Sequence, residues 1–406
     1  MRNYLQLLPI FGLMILFFAA CGAPAATETE SEMEETAVSP PPSAELEAMK
    51  AEVAATYADI VFANYEDAYE TAVTLQTALQ TFVANPSAET HQAAKDAWLA
   101  AREPYGQTEV YRFYGGPIDD EDGPEGLINA WPLDEAYVDY VEGAPEAGII
   151  NNVADYPEIN GDLLESLNEV GAEENISTGY HAIEFLLWGQ DLSTDGNGDR
   201  SYTDYTDATN ADRRGHYLLA AANLLVGHLG DLVAAWQPGV NDNYRAEFLA
   251  QPADDAIQKI LTGMGVLSKS ELAGERIFVA YDNQDQEDEH SCFSDNTHRD
   301  IINNAQGILN VYNGRYTRVD GTVVSGASLA DLVAELDGDL AVEMAGLVET
   351  AVSTTQAIPT PFDQAIVLPE QRPLVLDSVN ALQDQGDKLA EVASLLGVAI
   401  NTSLPE

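Results

Sequence analysis

His181 and Glu184 stand three residues apart in the otherwise apolar stretch TGYHAIEFLLWGQD, residues 178–191. On an α-helix, side chains at this spacing lie on one face, with Cβ atoms about 5–6 Å apart. The imidazole and the carboxylate could therefore bind one metal ion, and ligands of this type suit iron, zinc or manganese better than copper(I). The alternative is a hydrogen-bonded polar pair inside a core. Two ligands are too few for a metal site, so the first interpretation needs partners from other segments.

Zinc peptidases carry recognisable motifs, and none is complete around this pair. The zincin motif requires His-Glu-x-x-His, but Ala182 follows His181. The inverted motif, His-x-x-Glu-His, requires a histidine at the position of Phe185. The sequence therefore favours metal binding over peptide hydrolysis, although it leaves a hydrolase open.

A second polar segment, EDEHSCFSDNTHRD at residues 287–300, concentrates Glu289, His290 and His298 around one cysteine. These side chains could supply further ligands or form the wall of a pocket around the first pair. The alternative is a polar loop that leads into a helix cap. We favour the functional interpretation, because one acidic loop that holds a cysteine and two histidines is unusual as mere connecting chain.

A third segment, AREPYGQTEVYRFYGGP at residues 101–117, places Glu109 and Arg112 one helical step apart among several tyrosines. An ion pair between them on the surface would contribute little to stability. If the segment lies near His181, Glu109 could instead be a third metal ligand, and Arg112 could hold an anion. We therefore predict Glu109 as a ligand beside the first pair and Arg112 as a pocket residue.

The N-terminus has the pattern of a bacterial lipoprotein signal. Residues 1–21 contain an early basic residue, an apolar run and small residues before Cys21, and the sequence FAAC resembles a lipobox. Cys21 would then carry the lipid. The alternative is a membrane-spanning anchor, for which Tyr4–Ala20 is slightly short. Residues 22–43 are acidic and proline-rich, which predicts a disordered tether. The domain would lie in the cell envelope, in the periplasm or at the outer-membrane surface.

The chain carries 17 basic and 68 acidic residues among 406, which gives a formal net charge of −51. A nucleic-acid-binding protein concentrates the opposite sign, so the composition excludes that class of partner. Such acidity mainly keeps a surface solvated, and it also raises the concentration of cations near any site. Contact with the membrane is expected only through the N-terminal lipid.

Helical periodicity dominates the chain after the tether. Apolar residues recur every three or four positions across residues 61–82, which predicts one long helix. Residues 211–236, 243–266 and 328–357 are also predicted as helices. Residues 115–160 contain few periodic apolar positions, so a long loop is predicted there.

Strand signals are scarce, and residues 313–326 could form a small hairpin at most. We therefore predict an all-α protein with little or no sheet. Two helical-bundle domains, each of about four helices, are the simplest arrangement. The first would span residues 44–200 and contain the His181–Glu184 pair, and the second would span residues 201–406.

Residues 179–184 (GYHAIE) fit G-x-H-x-x-E, the motif of the imelysin family. Three longer blocks, PYGQTEVYRFYGGPID, INAWPLDEAYVDY and QEDEHSCFSDNTHRD, resemble the branch of that family called iron-regulated protein A. The likeness covers about residues 45–400. It implies an all-α envelope protein of two bundle-like domains, with the motif in a pocket near their interface. It assigns the motif to His181 and Glu184, and an acidic residue from an earlier helix would here be Glu109.

The resemblance leaves the activity open, because imelysins are grouped with metallopeptidases and named for insulin cleavage, yet are also linked to iron uptake. We expect a lipid-anchored protein that binds a metal ion, iron in preference to zinc, and takes part in iron acquisition with iron-uptake proteins as partners. The first alternative is a metal-dependent peptidase, in which Glu184 is a ligand or general base and the metal activates water. The second is a non-catalytic haem- or protein-binding module.

Overall fold

The periodic apolar stretch around residues 61–82 forms part of one continuous helix, α1 (Ser43–Ala84). Its stripe is fully buried, as Val61, Tyr65 and Phe82 show. Burial of apolar surface contributes roughly 25 cal/mol per Å², so this stripe favours the packing of other helices around α1.

The computed structural model describes residues 43–194 and 196–404. The predicted signal peptide with its lipidation site Cys21 and residues 22–42 of the predicted tether lie outside the described residues, so both assignments stay predictions. Ser43, the last residue of the predicted tether, is the first residue of α1.

The helices after α1 follow one another with short connections in most of the described part of the chain. They are α2 (Ala88–Gly106), α3 (Glu125–Ile128), α4 (Glu135–Val138), α5 (Gly148–Asn151), α6 (Gly161–Leu167), α7 (Gly179–Trp188), α8 (Ala211–Trp236), α9 (Tyr244–Ala250), α10 (Ala253–Val266), α11 (Val279–Asn283), α12 (Thr297–Tyr312), α13 (Leu329–Leu336), α14 (Gly338–Ala357), α15 (Phe362–Val367) and α16 (Arg372–Leu395). Short 3₁₀ segments occur at Gln107–Tyr111, Tyr202–Tyr205 and Gln286–Asp288, and Leu267–Phe278 is π-helical.

A small antiparallel hairpin interrupts the helices, with β1 (Arg315–Thr317) paired to β2 (Val323–Ser325). Tyr316 lies opposite Val324 in this pairing. The hairpin falls within the stretch that the sequence allowed as a hairpin at most. The prediction of an all-α fold with little sheet is confirmed.

The structure differs from the predicted helices in three places. Residues 115–160 were predicted as a loop but contain α3, α4 and α5, each of about one turn, which is too short to show apolar periodicity. Residues 243–266 divide into α9 and α10 next to Pro252, which lacks a backbone donor. Residues 328–357 divide at Asp337, whose side chain accepts two backbone hydrogen bonds and caps α14.

The packing of the helices brings α7 into the interior. Helix α1 contacts α2, α8 and α10, and α7 contacts α2 and α8. Helix α8 is apolar and long enough to cross a membrane by length and composition, but here it packs against α1 and α7. The described residues, 43–194 and 196–404, belong to one unit by their contacts, and the predicted boundary near residue 200 stays a prediction.

A buried ion cluster ties α4 to α8. Asp139 follows α4 and is fully buried. It accepts hydrogen bonds from Arg214 Nε at 2.6 Å, Arg214 Nη2 at 2.9 Å and Arg200 Nη1 at 2.6 Å. Removal of one member of a buried ion pair leaves an uncompensated charge and costs about 3–5 kcal/mol. The cluster therefore fixes the short helices of residues 115–160 against the long ones.

His91 connects α2 to the end of α7. Its Nε2 lies 2.8 Å from the carbonyl oxygen of Leu187, and its ring stacks on Phe82 with centroids 4.8 Å apart. Burial, with a contribution from Lys95, lowers the pKa of His91 to about 4. The imidazole is therefore neutral near pH 7 and donates its Nε2–H to the carbonyl.

We expect the contribution of His91 to stability to fall as the pH falls from about 6.5 to about 4. In this window the unfolded state binds a proton at His91 that the folded state does not, so the free energy of unfolding decreases. Chemical denaturation should show the wild type losing roughly 1–2 kcal/mol relative to His91→Gln across the window, a value reduced because water partly screens the ring. His216→Gln, at an exposed position, is the control. Parallel pH profiles for wild type and His91→Gln would contradict the prediction.

Candidate functional site

Helix α7 begins at Gly179, whose φ of +80° lies in the left-handed region that favours glycine. A Cβ atom at this position would lie 2.5 Å from the carbonyl oxygen of Ile128, at the end of α3. The glycine of the GYHAIE motif therefore allows α7 to begin in direct contact with α3. All ten residues of α7 are buried, so the motif lies inside the protein.

The two polar side chains of the motif contact each other. His181 Nδ1 lies 2.9 Å from Glu184 Oε2, and both side chains are at most 1% exposed. The other carboxylate oxygen, Oε1, accepts hydrogen bonds from Ser294 N at 2.9 Å and Ser294 Oγ at 2.6 Å. Among the residues that the structure describes, Nε2 of His181 has no hydrogen-bond partner. Glu184 therefore orients the imidazole so that Nε2 is the nitrogen available to a ligand.

A second imidazole lies against the first. The rings of His181 and His290 are 4.7 Å apart between centroids and nearly perpendicular, at 81°. His290 Nδ1 lies 2.9 Å from Asp300 Oδ2, and the ring is 5.6 Å from that of Trp131. Asp300 also accepts a hydrogen bond from Arg102 Nη2 at 3.0 Å. Two adjacent histidines thus have the same arrangement, with a carboxylate at Nδ1.

Burial sets the protonation of these four groups. It lowers the pKa values of His181 and His290 to about 3, and nearby arginines add to the effect, so both imidazoles are neutral near pH 7. Burial raises the pKa of Glu184 to about 8. Burial alone would also raise the pKa of Asp300, but the Arg102 guanidinium and the contact with His290 hold it below its usual range. Neutral imidazole is the form that binds metal ions.

Glu109 is held by two arginines. Its Oε2 accepts hydrogen bonds from Arg112 Nη1 at 2.7 Å and Arg276 Nη2 at 2.6 Å, and the side chain is 1% exposed. Burial would raise the pKa of Glu109, but Arg276 and Arg112 hold it well below its usual range. The pairing of Glu109 with Arg112 was expected as one interpretation of the sequence, but it lies in the interior. The ligand role of Glu109 stays a prediction.

A cavity of about 360 Å³ opens beside His290, and its lining includes Arg112, Asn129, Trp131 and Arg276. Five glutamates also line it: Glu125, Glu169, Glu173, Glu271 and Glu275. Two arginines against five glutamates give the lining a formal charge of −3. A cavity with this charge concentrates cations beside His290.

The remaining predicted residues take other positions. His298 is half-buried, and its Nδ1 lies 3.1 Å from the carbonyl oxygen of Asp295. Glu289 is buried beside His290 in the chain, and its carbonyl accepts a hydrogen bond from Trp131 Nε1 at 2.7 Å. Within residues 43–194 and 196–404, no three His, Cys, Asp or Glu side chains are arranged to hold one metal ion. The predicted metal ligands therefore stay predictions.

Sequence reasoning missed several residues that complete the site. Ser294 holds Glu184, Arg102 and Asp300 form a buried ion pair at 3.0 Å, and Arg276 holds Glu109. Ser294 and Asp300 belong to the polar segment of residues 287–300, which was the available signal for them. Arg276 lies in the π-helical segment, where nothing in the local sequence pointed to the site.

We expect Gly179→Ala to reduce the free energy of unfolding by roughly 2 kcal/mol or more, because Ala is strained at this φ and its Cβ would meet the Ile128 carbonyl. The control is Gly346→Ala, an exposed glycine of α14 with open space around its Cα. There alanine should raise stability by about 0.5–1 kcal/mol, through helix propensity. Urea denaturation measures both, and equal effects of the two substitutions would show that Gly179 has no special role.

Comparison with known proteins bears on this architecture. The family model for imelysin matches residues 61–389. The chain is 28% identical over 338 residues to iron-regulated protein A of Synechococcus elongatus, across 81% of this chain and 82% of the relative.

Two crystal structures share the fold. One is an iron-regulated protein A precursor from Parabacteroides distasonis, with a TM-score of 0.67 and 21% identity, covering 89% of this chain and 97% of that one. The other is an imelysin-like protein from Psychrobacter arcticum, with a TM-score of 0.60 and 15% identity, covering 90% and 99%. At these identities the structures show a common fold. The family match over most of the chain confirms the resemblance found in the sequence, and the chain belongs to the imelysin family.

Proposed function

We propose that this chain binds an iron ion through Nε2 of His181 and Nε2 of His290, and that it takes part in iron acquisition as a lipid-anchored protein of the bacterial cell envelope. The observation that carries the proposal is Nε2 of His181, a buried polar atom for which the described residues supply no hydrogen-bond partner. A buried polar atom without a partner is unfavourable, and a bound ligand would remove that cost.

The carboxylates behind the two imidazoles support the same role. Histidines that bind a metal through one nitrogen usually give the other N–H to a carboxylate, which fixes the ring and its tautomer. Glu184 and Asp300 stand in that position behind His181 and His290. A cation at Nε2 favours the form in which Nδ1 carries the hydrogen and Glu184 is ionised. We therefore assign Glu184 and Asp300 as positioning residues.

Two imidazoles occupy only part of the coordination shell of a metal ion. Water or groups that accompany the ion would fill the remaining positions. An ion held by so few protein ligands can be bound and released reversibly. Glu109 could join as a ligand only if its ion pairs with Arg112 and Arg276 opened. Imidazole suits both iron and zinc. The choice of iron rests on the relatives that are named as iron-regulated proteins.

The state of Glu184 favours a carrier over a metallopeptidase. A general base must hold a carboxylate oxygen within hydrogen-bond reach of the water that it activates. Glu184 Oε1 already accepts two hydrogen bonds from Ser294, and Oε2 contacts His181. Cleavage of an unstructured protein by the metal-loaded chain, lost in Glu184→Gln, would reverse this assignment.

We expect the purified protein to bind close to one equivalent of Fe²⁺ or Zn²⁺ under limiting metal, and His181→Ala to lose this binding. Glu184→Gln should weaken binding about 10–100-fold, the usual effect of losing the partner of a metal-binding histidine. Its amide oxygen can still accept from Ser294, but its NH₂ group donates to His181 Nδ1. The hydrogen then sits on Nε2, and the lone pair that a metal needs is gone.

Mass spectrometry of metal content, without a metal-affinity tag, measures this binding. His216→Ala, at an exposed position of α8, is the control and should bind as the wild type does. If the wild type and all variants contain equally little metal, the proposal is wrong. The alternative function, a haem- or protein-binding module, would then remain. Equal, full occupancy in all of them would place the metal elsewhere.

The negative charge of the cavity lining should increase the rate at which the protein binds free cations. We expect Glu173→Gln combined with Glu275→Gln, both exposed in the cavity lining, to slow Fe²⁺ association about 2- to 5-fold at low salt, because the attracting charge is reduced. The difference should shrink near 0.15 M salt, where the Debye length is about 8 Å. Stopped-flow kinetics measures the rate, and Glu349→Gln on the exposed face of α14 is the control. Unchanged rates would mean that the cavity is not the entry route.

A further inference from the structure

Residues 397–404, which follow α16, form an extended segment that we call the strap. Within it, Val398, Ile400, Thr402 and Leu404 are half-buried, and the four residues that alternate with them are exposed. Burial of every second side chain is the pattern of an extended chain that lies with one face on the protein. The strap thus packs one row of side chains against the helices, although it belongs to no helix or strand.

Two side chains from neighbouring elements hold the strap. Gln258 Nε2, on α10, donates a hydrogen bond to the carbonyl oxygen of Ala399 at 2.7 Å. Ser270 Oγ, in the π-helical segment, donates one to the carbonyl oxygen of Thr402 at 2.6 Å. Between these two donors in the chain lies Gly265, where a Cβ atom would be 3.0 Å from Thr402 Cγ2. The strap therefore lies in close contact with α10 and with the π-helical segment.

The last described residue of the strap, Leu404, lines the acidic cavity beside His290. Glu271 and Arg276 of the π-helical segment line the same cavity. Ser270, which holds the strap, immediately precedes Glu271 in the chain. One short segment thus provides both a hydrogen-bond donor for the strap and part of the cavity lining, so a movement of the strap changes the wall of the cavity.

The strap is attached weakly. From Ala399 to Leu404 the backbone takes part in no backbone–backbone hydrogen bond with any described residue, and none of these side chains is fully buried. Segments with few buried contacts and few backbone hydrogen bonds open locally at a lower free-energy cost than the core. The two side-chain hydrogen bonds can therefore break while the helices beneath the strap stay folded.

We propose that the strap is a gate for the cavity beside His290. It forms part of the cavity wall while Gln258 and Ser270 hold it, and it moves aside when a cation enters or leaves. In the closed position the apolar side chain of Leu404 lies at an acidic lining, where exclusion of water strengthens the attraction between the carboxylates and a cation. A role in iron exchange rests on the function proposed above, whereas the movement of the strap does not.

A disulfide can hold the strap in the closed position. A Cβ atom at Gly265 would lie 3.9 Å from Cβ of Thr402, within the range of about 3.5–4.5 Å that a disulfide requires. Gly265→Cys combined with Thr402→Cys should therefore form this bond on oxidation and release it on reduction, which mass spectrometry verifies. The new Cβ also meets Ile400 Cδ1, the end of a flexible side chain that can move aside. Cys292, the free cysteine of the described residues, is buried.

Trp131 reports on access to the cavity. It is half-buried in the cavity lining, whereas Trp98, Trp188 and Trp236 are at most 2% exposed, so acrylamide and Cs⁺ quench mainly the fluorescence of Trp131. We expect the oxidised double-cysteine variant to be quenched about 2-fold less strongly than the wild type, because local opening of the strap is blocked. Reduction should restore the wild-type value.

A second variant tests the gate in the opposite direction. Gln258→Ala combined with Ser270→Ala removes both hydrogen bonds to the strap and should raise the quenching of Trp131 above the wild-type value. Ser394→Ala removes an exposed hydroxyl that bonds a carbonyl within α16, so it is the control and should leave the quenching unchanged.

Stopped-flow kinetics of Fe²⁺ binding separates the gate from the proposed iron site. We expect the oxidised double-cysteine variant to bind Fe²⁺ about 10-fold more slowly than its reduced form, because entry requires the strap to open. If no form binds Fe²⁺ but the quenching of Trp131 changes as expected, the gate stands and the proposed function is wrong. Equal quenching in the oxidised, reduced and Gln258→Ala/Ser270→Ala proteins would overturn the gate, whatever their iron binding.

Discussion

The contact between His181 Nδ1 and Glu184 determines which nitrogen of the imidazole is left without a partner among the described residues, and the proposed site depends on it. Glu184 can hold the ring because Ser294, more than one hundred residues later in the chain, donates two hydrogen bonds to its other oxygen. The start of α7 is fixed in turn by Gly179, which packs against the Ile128 carbonyl. The motif thus adopts this geometry only when α3, α7 and the segment before α12 are packed together.

Several of the few basic residues neutralise carboxylates in the interior, which leaves the acidic surface with negative charge that attracts cations. The chain has only 17 basic residues against 68 acidic ones. Among the described residues, four arginines are buried in ion pairs with interior carboxylates, namely Arg102, Arg200, Arg214 and Arg276. Basic side chains that neutralise interior acids cannot also neutralise the surface. The glutamate-rich cavity beside His290 is therefore left with an excess of negative charge, which cations from solution can balance.

Sequence patterns predicted the structural features that depend on the spacing of residues along the chain. The stripe of α1 and the shared helical face of His181 and Glu184 follow from the 3.6-residue period, and the all-α class follows from the same signal. The partners of the motif could not be predicted in this way. Ser294 bonds Glu184, and Asp300 bonds Arg102, across more than one hundred residues, and no local pattern encodes such contacts. The one-turn helices between residues 115 and 160 are likewise too short for a period to appear.

The geometry of the two imidazoles fits the proposed binding of an ion better than the activation of water. Both rings are buried and neutral near pH 7, so neither carries a positive charge that would repel a cation. Metal-dependent hydrolysis also needs a base with an open oxygen, and the Glu184 carboxylate is engaged at both of its oxygens. The proposed site, with two imidazole ligands and two carboxylates that orient them, is therefore better suited to accepting and releasing a cation than to hydrolysis. The same reasoning makes His290, which lies outside the G-x-H-x-x-E motif, as important to the proposed function as His181.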